Sequence, residues 1–335
     1  MTDPVSAGTR LSGRARWLLR ATLLLGLLAT AAPAGAARSA CPQHHPDGAA
    51  PDIARRSLAS QARELCFSGY AVLHSGVSRT PLAAAERLTR ARVRRARQLP
   101  RENAFHEEQR LPENERADLA DYARSGFDRG HMAPSGDMAT ETSQNESFSL
   151  ANMVPQSPGS NRCLWEGIER TVRELATDEG EVWVATGPVF EGTELRRLRD
   201  RVLVPTSLFK AIYVPSLGQA GAYLAPNAPG LNWRAVSLAE LRDIVGLDIF
   251  PSLPAAVRNR TMALPEPEPS NIYGSCDSEP GPVTADRRPS PSPGQPAPAP
   301  ASRTSTSLGG KLGLWLGAIF ALLAVLALFR VLGRR

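Results

Sequence analysis

The chain has 335 residues, 42% of them hydrophobic, and a formal net charge of +6. It is long enough for one large domain or two ordinary ones and apolar enough for a packed core, which excludes a chain disordered throughout. The positive balance suits a polyanionic partner such as nucleic acid or a membrane surface, but it is nearly all arginine, with Lys210 and Lys311 the only lysines, so charge alone carries little weight.

Residues 1–37 read as a secretory signal peptide. Arg10, Arg14, Arg16 and Arg20 precede an apolar run at 21–32, and Pro33 is followed by Ala34-Gly35-Ala36-Ala37. Left uncleaved, the segment would be a short N-terminal anchor. Residues 41–276 form the expected ordered domain. Its four cysteines, Cys41, Cys66, Cys163 and Cys276, allow three disulfide connectivities. Cys41–Cys66 is favoured because it closes a short loop, with Cys163–Cys276 tying back the C-terminal edge. Metal binding is disfavoured because no C-x-x-C pair exists.

Gly69-Tyr70-Ala71-Val72-Leu73-His74 reads as a strand. Residues 81–97 read as a loop or helix carrying Arg87, Arg90, Arg92, Arg94, Arg95 and Arg97. That run suits a phosphate backbone and equally a solvated face. Residues 148–153 look strand-like. From 161 to 175 the apolar positions Leu164, Trp165, Ile168, Val172 and Leu175 have helical spacing. Glu181-Val182-Trp183-Val184-Ala185-Thr186 is a buried strand ending at Gly187-Pro188; residues 202–214 carry strand signals broken at Pro205; Ala222-Tyr223-Leu224 is another strand. Ser237-Leu238-Ala239-Glu240 is a capping box opening a second helix that Gly246 ends. Strands and helices alternate without a βαβ rhythm, so the expected class is α+β with a largely antiparallel sheet.

Residues 277–311, rich in Pro and Ser, read as a disordered, extended linker. Residues 312–332 are apolar enough to cross a bilayer, with Trp315 near one interface. Arg330, Arg334 and Arg335 outnumber Lys311, which places the tail 333–335 in the cytoplasm and the domain outside it. The expected location is the cell membrane, single-pass, with the domain periplasmic or extracytoplasmic.

The chemistry concentrates in Asp128-Arg129-Gly130-His131-Met132-Ala133-Pro134 and, some way on, Asn152-Met153-Val154-Pro155-Gln156 and Asn161. Phosphodiester hydrolysis needs a base for water, a cation on the phosphate and help for the leaving oxygen. His131 suits the base, with Gly130 letting the backbone approach whatever the histidine acts on. Arg129 suits a phosphate oxygen. Asn161 offers a neutral hard oxygen to Mg²⁺ and equally suits a helix cap. Glu169, about two helical turns further on, suits a metal-bound water. Trp165 suits core packing. His44, His45, His74 and His106 suit structural roles.

These residues resemble the DNA/RNA non-specific endonucleases, the ββα-metal nucleases that include endonuclease G. The likeness runs over residues 69–275. It includes Asp121-Tyr122, Ser125-Gly126-Phe127-Asp128-Arg129-Gly130-His131-Met132-Ala133-Pro134 and Asp137-Met138. It continues through Phe148-Ser149-Leu150-Ala151-Asn152-Met153-Val154-Pro155-Gln156, Asn161, Trp165 and Glu169. Thr186-Gly187-Pro188-Val189-Phe190 and Val204-Pro205-Thr206 through Phe209-Lys210 also fit. The resemblance implies a central, largely antiparallel sheet flanked by helices, with a β-hairpin and helix carrying the site. It implies His131 as general base, Asn161 as the direct Mg²⁺ ligand (Mn²⁺ being the alternative ion) and Glu169 as the group orienting metal-bound water. Arg129 and Asn152 would support the phosphate or the metal's surroundings. Arg101, ahead of Phe105, is similar to the family's upstream phosphate-binding arginine. Products would carry a 5′-phosphate. The expectation is an exported, membrane-tethered, Mg²⁺-dependent endonuclease acting on DNA, RNA or both. The alternatives are an inactive, membrane-anchored nucleic-acid-binding protein for uptake and a phosphodiesterase for smaller substrates.

Overall fold

In the computed structural model, residues 37–270 and Cys276 are described. In chain order the strands are β1 (Asp52–Ile53), β2 (Ala62–Cys66), β3 (Ala71–Ser75), β4 (Thr80–Thr89), β5 (Asp128–His131), β6 (Met153–Gln156) and β7 (Glu181–Val189). They continue as β8 (Arg197–Leu198), β9 (Val202–Leu203), β10 (Ser207–Val214), β11 (Gln219–Pro226), β12 (Arg234–Val236) and β13 (Leu247–Asp248). The helices are α1 (Arg90–Ala96), α2 (Leu119–Tyr122), α3 (Glu141–Ser147), α4 (Glu166–Glu179), α5 (Leu238–Val245) and α6 (Ala255–Arg258).

Seven strands make the main sheet in the order β12-β11-β10-β7-β4-β3-β2, and every neighbouring pair is antiparallel. Alternation along the strands builds a core on each face. Val182, Val184, Leu208 and Ile212 pack with Trp165, Ile168 and Val172 of the α4 side. Ala185, Phe209 and Ala211 pack with Leu241 and Val245 of α5. The class is α+β with helices on both faces, as expected.

Helix α5 is capped as its sequence promises. Ser237 accepts from the Glu240 N–H at 3.1 Å, and Gly246 takes a left-handed φ of 74°. The cysteines pair as Cys41–Cys66 and Cys163–Cys276. The second bridge ties the segment leading into α4 to the far end of the domain.

Two segments differ from expectation. Residues 80–89 are a central strand, and the helix starts only at Arg90. The small side chains of Ala83, Ala84 and Ala85 are buried on alternate faces of the sheet, so strand pairing overrides alanine's helical preference. Thr89 then stops the strand and caps α1 by accepting from the Arg92 N–H at 3.2 Å. Residues 148–153 are not a strand. Leu150–Asn152 is a 3₁₀ turn, which the Ser149 side chain caps, and β6 begins at Met153. Of the arginine run, Arg92 is spent internally on Glu86, Gly69 O and Asp137 O. Arg87 and Arg90 reach Glu181 and the end of α4.

Among the described residues no helix is long and apolar enough to cross a membrane. The expected linker and span at 277–332, the tail, and the signal segment up to residue 36 lie outside the described residues.

Gly187 marks the tightest point of the sheet. A Cβ there would stand 2.3 Å from the Leu82 carbonyl oxygen and 2.7 Å from the Phe209 ring. Gly187→Ala should therefore destabilise the domain by about 1–3 kcal/mol through overpacking, lowering Tm by several degrees; a thermal melt matching wild type would contradict this packing.

Candidate active site

β5 and β6 pair antiparallel outside the main sheet, Asp128 against Gln156 and His131 against Met153. From β6 the chain enters a π-helical segment, Ser160–Trp165, which continues as α4. Such segments recur at functional positions because they re-aim side chains within a helix. The hairpin carries His131 and Arg129; the helical arm carries Asn161 and Glu169.

Gly130 has a packing reason rather than a substrate reason. A Cβ there would lie 2.1 Å from Gln156 Oε1 and 2.6 Å from its Cβ. Glycine therefore lets β6 close on β5 and sets where His131 stands.

His131 is 9% exposed, and its Nε2 has no hydrogen-bond partner among the described residues. Phe148 meets its ring edge-on with centroids 5.0 Å apart, and Phe105 lies at 5.8 Å. The Arg129 guanidinium stacks 4.0 Å over Phe105, and Arg101 stands 5.4 Å over Phe148. Burial first, then the charges of Arg101 and Arg129, push the His131 pKa down to about 3. The imidazole is thus neutral, with a free nitrogen, between two cations able to hold an anion.

Asn161 is fixed by Asp128. Its Nδ2 donates to Asp128 Oδ2 at 2.9 Å, while Arg162 grips the same carboxylate at 2.8 and 2.6 Å. With the amide nitrogen engaged, Oδ1 is the end left for a cation. Among the described residues no group of three His, Cys, Asp or Glu side chains could hold a metal. The donor set is an amide oxygen, with Glu169 on the same helical arm. That set fits a hard ion that keeps most of its waters. Burial raises the Glu169 pKa to about 7, opposed by Lys210 and Arg173.

Asn152 is fully buried, and its polar atoms are spent on backbone. Its Oδ1 accepts from Ala133 N–H at 2.9 Å, and its Nδ2 donates to Ala133 O and Ser147 O at 2.8 and 2.9 Å. It holds the turn after His131 and acts as a positioning residue, not as a contact for substrate. Trp165, 1% exposed, is core packing. The other histidines bond backbone or lie by a carboxylate: His44 to Phe67 O, His74 to Glu115 O, His106 to Ala104 O, and His45 3.4 Å from Glu64.

The sequence reading missed the parts played by four residues. Asp128 orients Asn161, Phe148 and Phe105 enclose His131, and the buried Lys210 sets charge near Glu169. Asp128 was visible in the motif, but its partner lies 33 residues away.

A family model described as DNA/RNA non-specific endonuclease matches residues 50–256. Nuclease C1 of Cunninghamella echinulata var. echinulata is 37% identical over 169 residues, 44% of this chain and 67% of that protein. The mitochondrial nuclease EXOG of Danio rerio is 33% identical over 215 residues, 58% of this chain and 62% of that protein, so the match spans less than two thirds of its length. A crystal structure of the EndoG/EndoGI complex aligns with a TM-score of 0.51 at 26% identity, covering 60% of this chain and 89% of that one.

Removing the Arg101 charge should raise the His131 pKa. Ring-proton NMR titration of the metal-free protein should place the His131 midpoint far below 6.5, and Arg101→Ala should move it upward. A wild-type midpoint at 6.5 or above would show that burial does not govern this imidazole.

Proposed function

Because the chain belongs to the DNA/RNA non-specific endonuclease family, we propose that it hydrolyses phosphodiester bonds of DNA, RNA or both with little sequence preference. The observation that carries this reading is a buried, neutral His131 with an unpartnered Nε2, set between Arg101 and Arg129 on the hairpin that leads to Asn161.

His131 Nε2 takes a proton from the attacking water as it adds to phosphorus. Its low pKa keeps it available as base, and the anionic substrate offsets part of the cationic field, strengthening it as proton acceptor on binding. Arg129 and Arg101 hold phosphate oxygens through charge-assisted hydrogen bonds. A divalent ion at Asn161, Mg²⁺ with Mn²⁺ as the alternative, supplies charge to the phosphate and the leaving oxygen when bound. Glu169, on the same helical arm, would accept hydrogen bonds from water held by such an ion. Asp128 keeps the Asn161 amide oriented. The leaving group is the 3′ oxygen, so products carry a 5′-phosphate.

The domain acts outside the cytoplasm, exported by residues 1–37 and tethered through residues 312–332 on the 277–311 linker. Two disulfides support an oxidising compartment.

His131→Ala should abolish nicking of supercoiled plasmid in Mg²⁺ while duplex binding in chelator persists. Wild type should nick in Mg²⁺ and not in chelator. Substantial nicking by the folded variant would remove His131 from the role of base; no nicking by wild type with any divalent ion would favour a nucleic-acid-binding protein instead. For the tether, the full chain should stay with membranes through alkaline carbonate washing, and a chain truncated after residue 311 should not. Release of the full chain by the wash would refute the anchor.

A further inference from the structure

A cleft of about 370 Å³ is lined by Arg124, Arg196, Arg197 and Arg199, with Asp121. The aspartate is already committed: its carboxylate pairs with Arg201 Nε at 3.1 Å and accepts from Asp118 N–H at 2.9 Å. Arg197 donates to the Arg201 carbonyl at 2.9 Å, a neutral partner that leaves its charge uncompensated. The regional ion pairs join Arg201 to Asp118 and Asp121, and no described carboxylate pairs with Arg124, Arg196 or Arg199. These arginines are exposed. The cleft is thus a concentration of uncancelled guanidinium charge.

Two further features single it out. Arg124 and Arg199 have left-handed φ angles of 57° and 47°, and Asp200 follows at 57°. Glycine or asparagine holds such positions at lower cost, so conformational ease does not account for arginine there. The cleft is also mounted on the packing that encloses the base. Arg196 stands 4.8 Å over Phe127, the residue before Asp128. Phe127 and Leu198 pack in one cluster with Phe105, whose ring carries Arg129.

We propose that this cleft is a second phosphate-binding subsite, which grips the nucleic-acid backbone beyond the bond being cut. Guanidinium forks match phosphodiester oxygens, and the contact is to backbone, so it adds affinity without sequence preference. The proposal rests on the nuclease reading above and defines how that site holds a long substrate.

The test uses the full-length protein and a labelled 30-base-pair duplex in chelator, where binding is read without cleavage. Arg124→Gln/Arg196→Gln/Arg199→Gln should weaken Kd about tenfold near 0.1 M salt and make the log Kd against log salt slope shallower by about 2–3. In Mg²⁺, cleavage of a four-nucleotide oligomer should lose less than cleavage of the duplex, because it offers the cleft fewer phosphates. Arg124→Gly/Arg199→Gly, which relieves both left-handed positions, should show a smaller loss of the same kind without loss of thermal stability. Wild-type Kd and salt slope in both variants would overturn the subsite. So would equal loss of oligomer and duplex cleavage in a variant that melts like wild type. If wild type binds the duplex but cuts nothing, the nuclease reading fails, while the comparison of Kd values still decides the subsite.

Discussion

The carboxylate of Asp128 holds the site together across the chain. It receives Asn161 Nδ2 and the Arg162 guanidinium at once, so the first residue of β5 is bonded to the helical arm that follows β6. The β5–β6 pairing alone fixes only the hairpin. The hairpin bearing His131 and the arm bearing Asn161 become one unit because one carboxylate binds both partners. The Arg162 guanidinium donates to both carboxylate oxygens of Asp128, and those oxygens accept, so Asn161 turns its nitrogen toward them. The amide oxygen is then free by consequence rather than by chance.

Burial tunes the histidine from the other side. Phe148 and Phe105 exclude water from the ring, and neither offers an acceptor to an imidazolium. Arg101 and Arg129 add positive charge while using the same rings as platforms. One set of aromatic contacts therefore depresses the basicity of His131 and positions two guanidiniums beside it. On the proposed function, a phosphate held between them would offset much of that positive charge and raise the proton affinity of the imidazole.

What the sequence made legible was local. The Asp128–His131 string, the apolar spacing at 164–175, the Ser237 cap and the short Cys41–Cys66 loop each fall within one window of chain. What it hid depends on pairing at a distance. The alanines at 83–85 look helical until neighbouring strands bury both faces. Gly130 looks like room for a substrate until Gln156 fills the space. Asn152 looks catalytic until its amide is seen spent on Ala133 and Ser147. The chemical types were correct in each case; their partners could not be read from spacing.

The same distinction applies to two ionisable groups buried in the main sheet. Glu86 and Lys210 are each 1% exposed and lie on different strands of the main sheet, β4 and β10. Burial and nearby Asp137 raise the Glu86 pKa to about 8, against Arg92 and Lys210. Asp137, in the turn after β5, is held by Arg173 of α4 at 3.0 Å. Lys210 donates to Thr186 of β7 at 2.7 Å and lies 5.7 Å from the Trp165 ring. Ionisable groups this deep cost more in desolvation than apolar packing would, so stability alone does not account for them. Their arrangement does: sheet, turn and α4 meet through partners that tolerate little displacement. The helix bearing Glu169 is thereby located by charge as well as by the apolar stripe of Ile168 and Val172, and the sheet's lysine sets the field in which that carboxylate ionises.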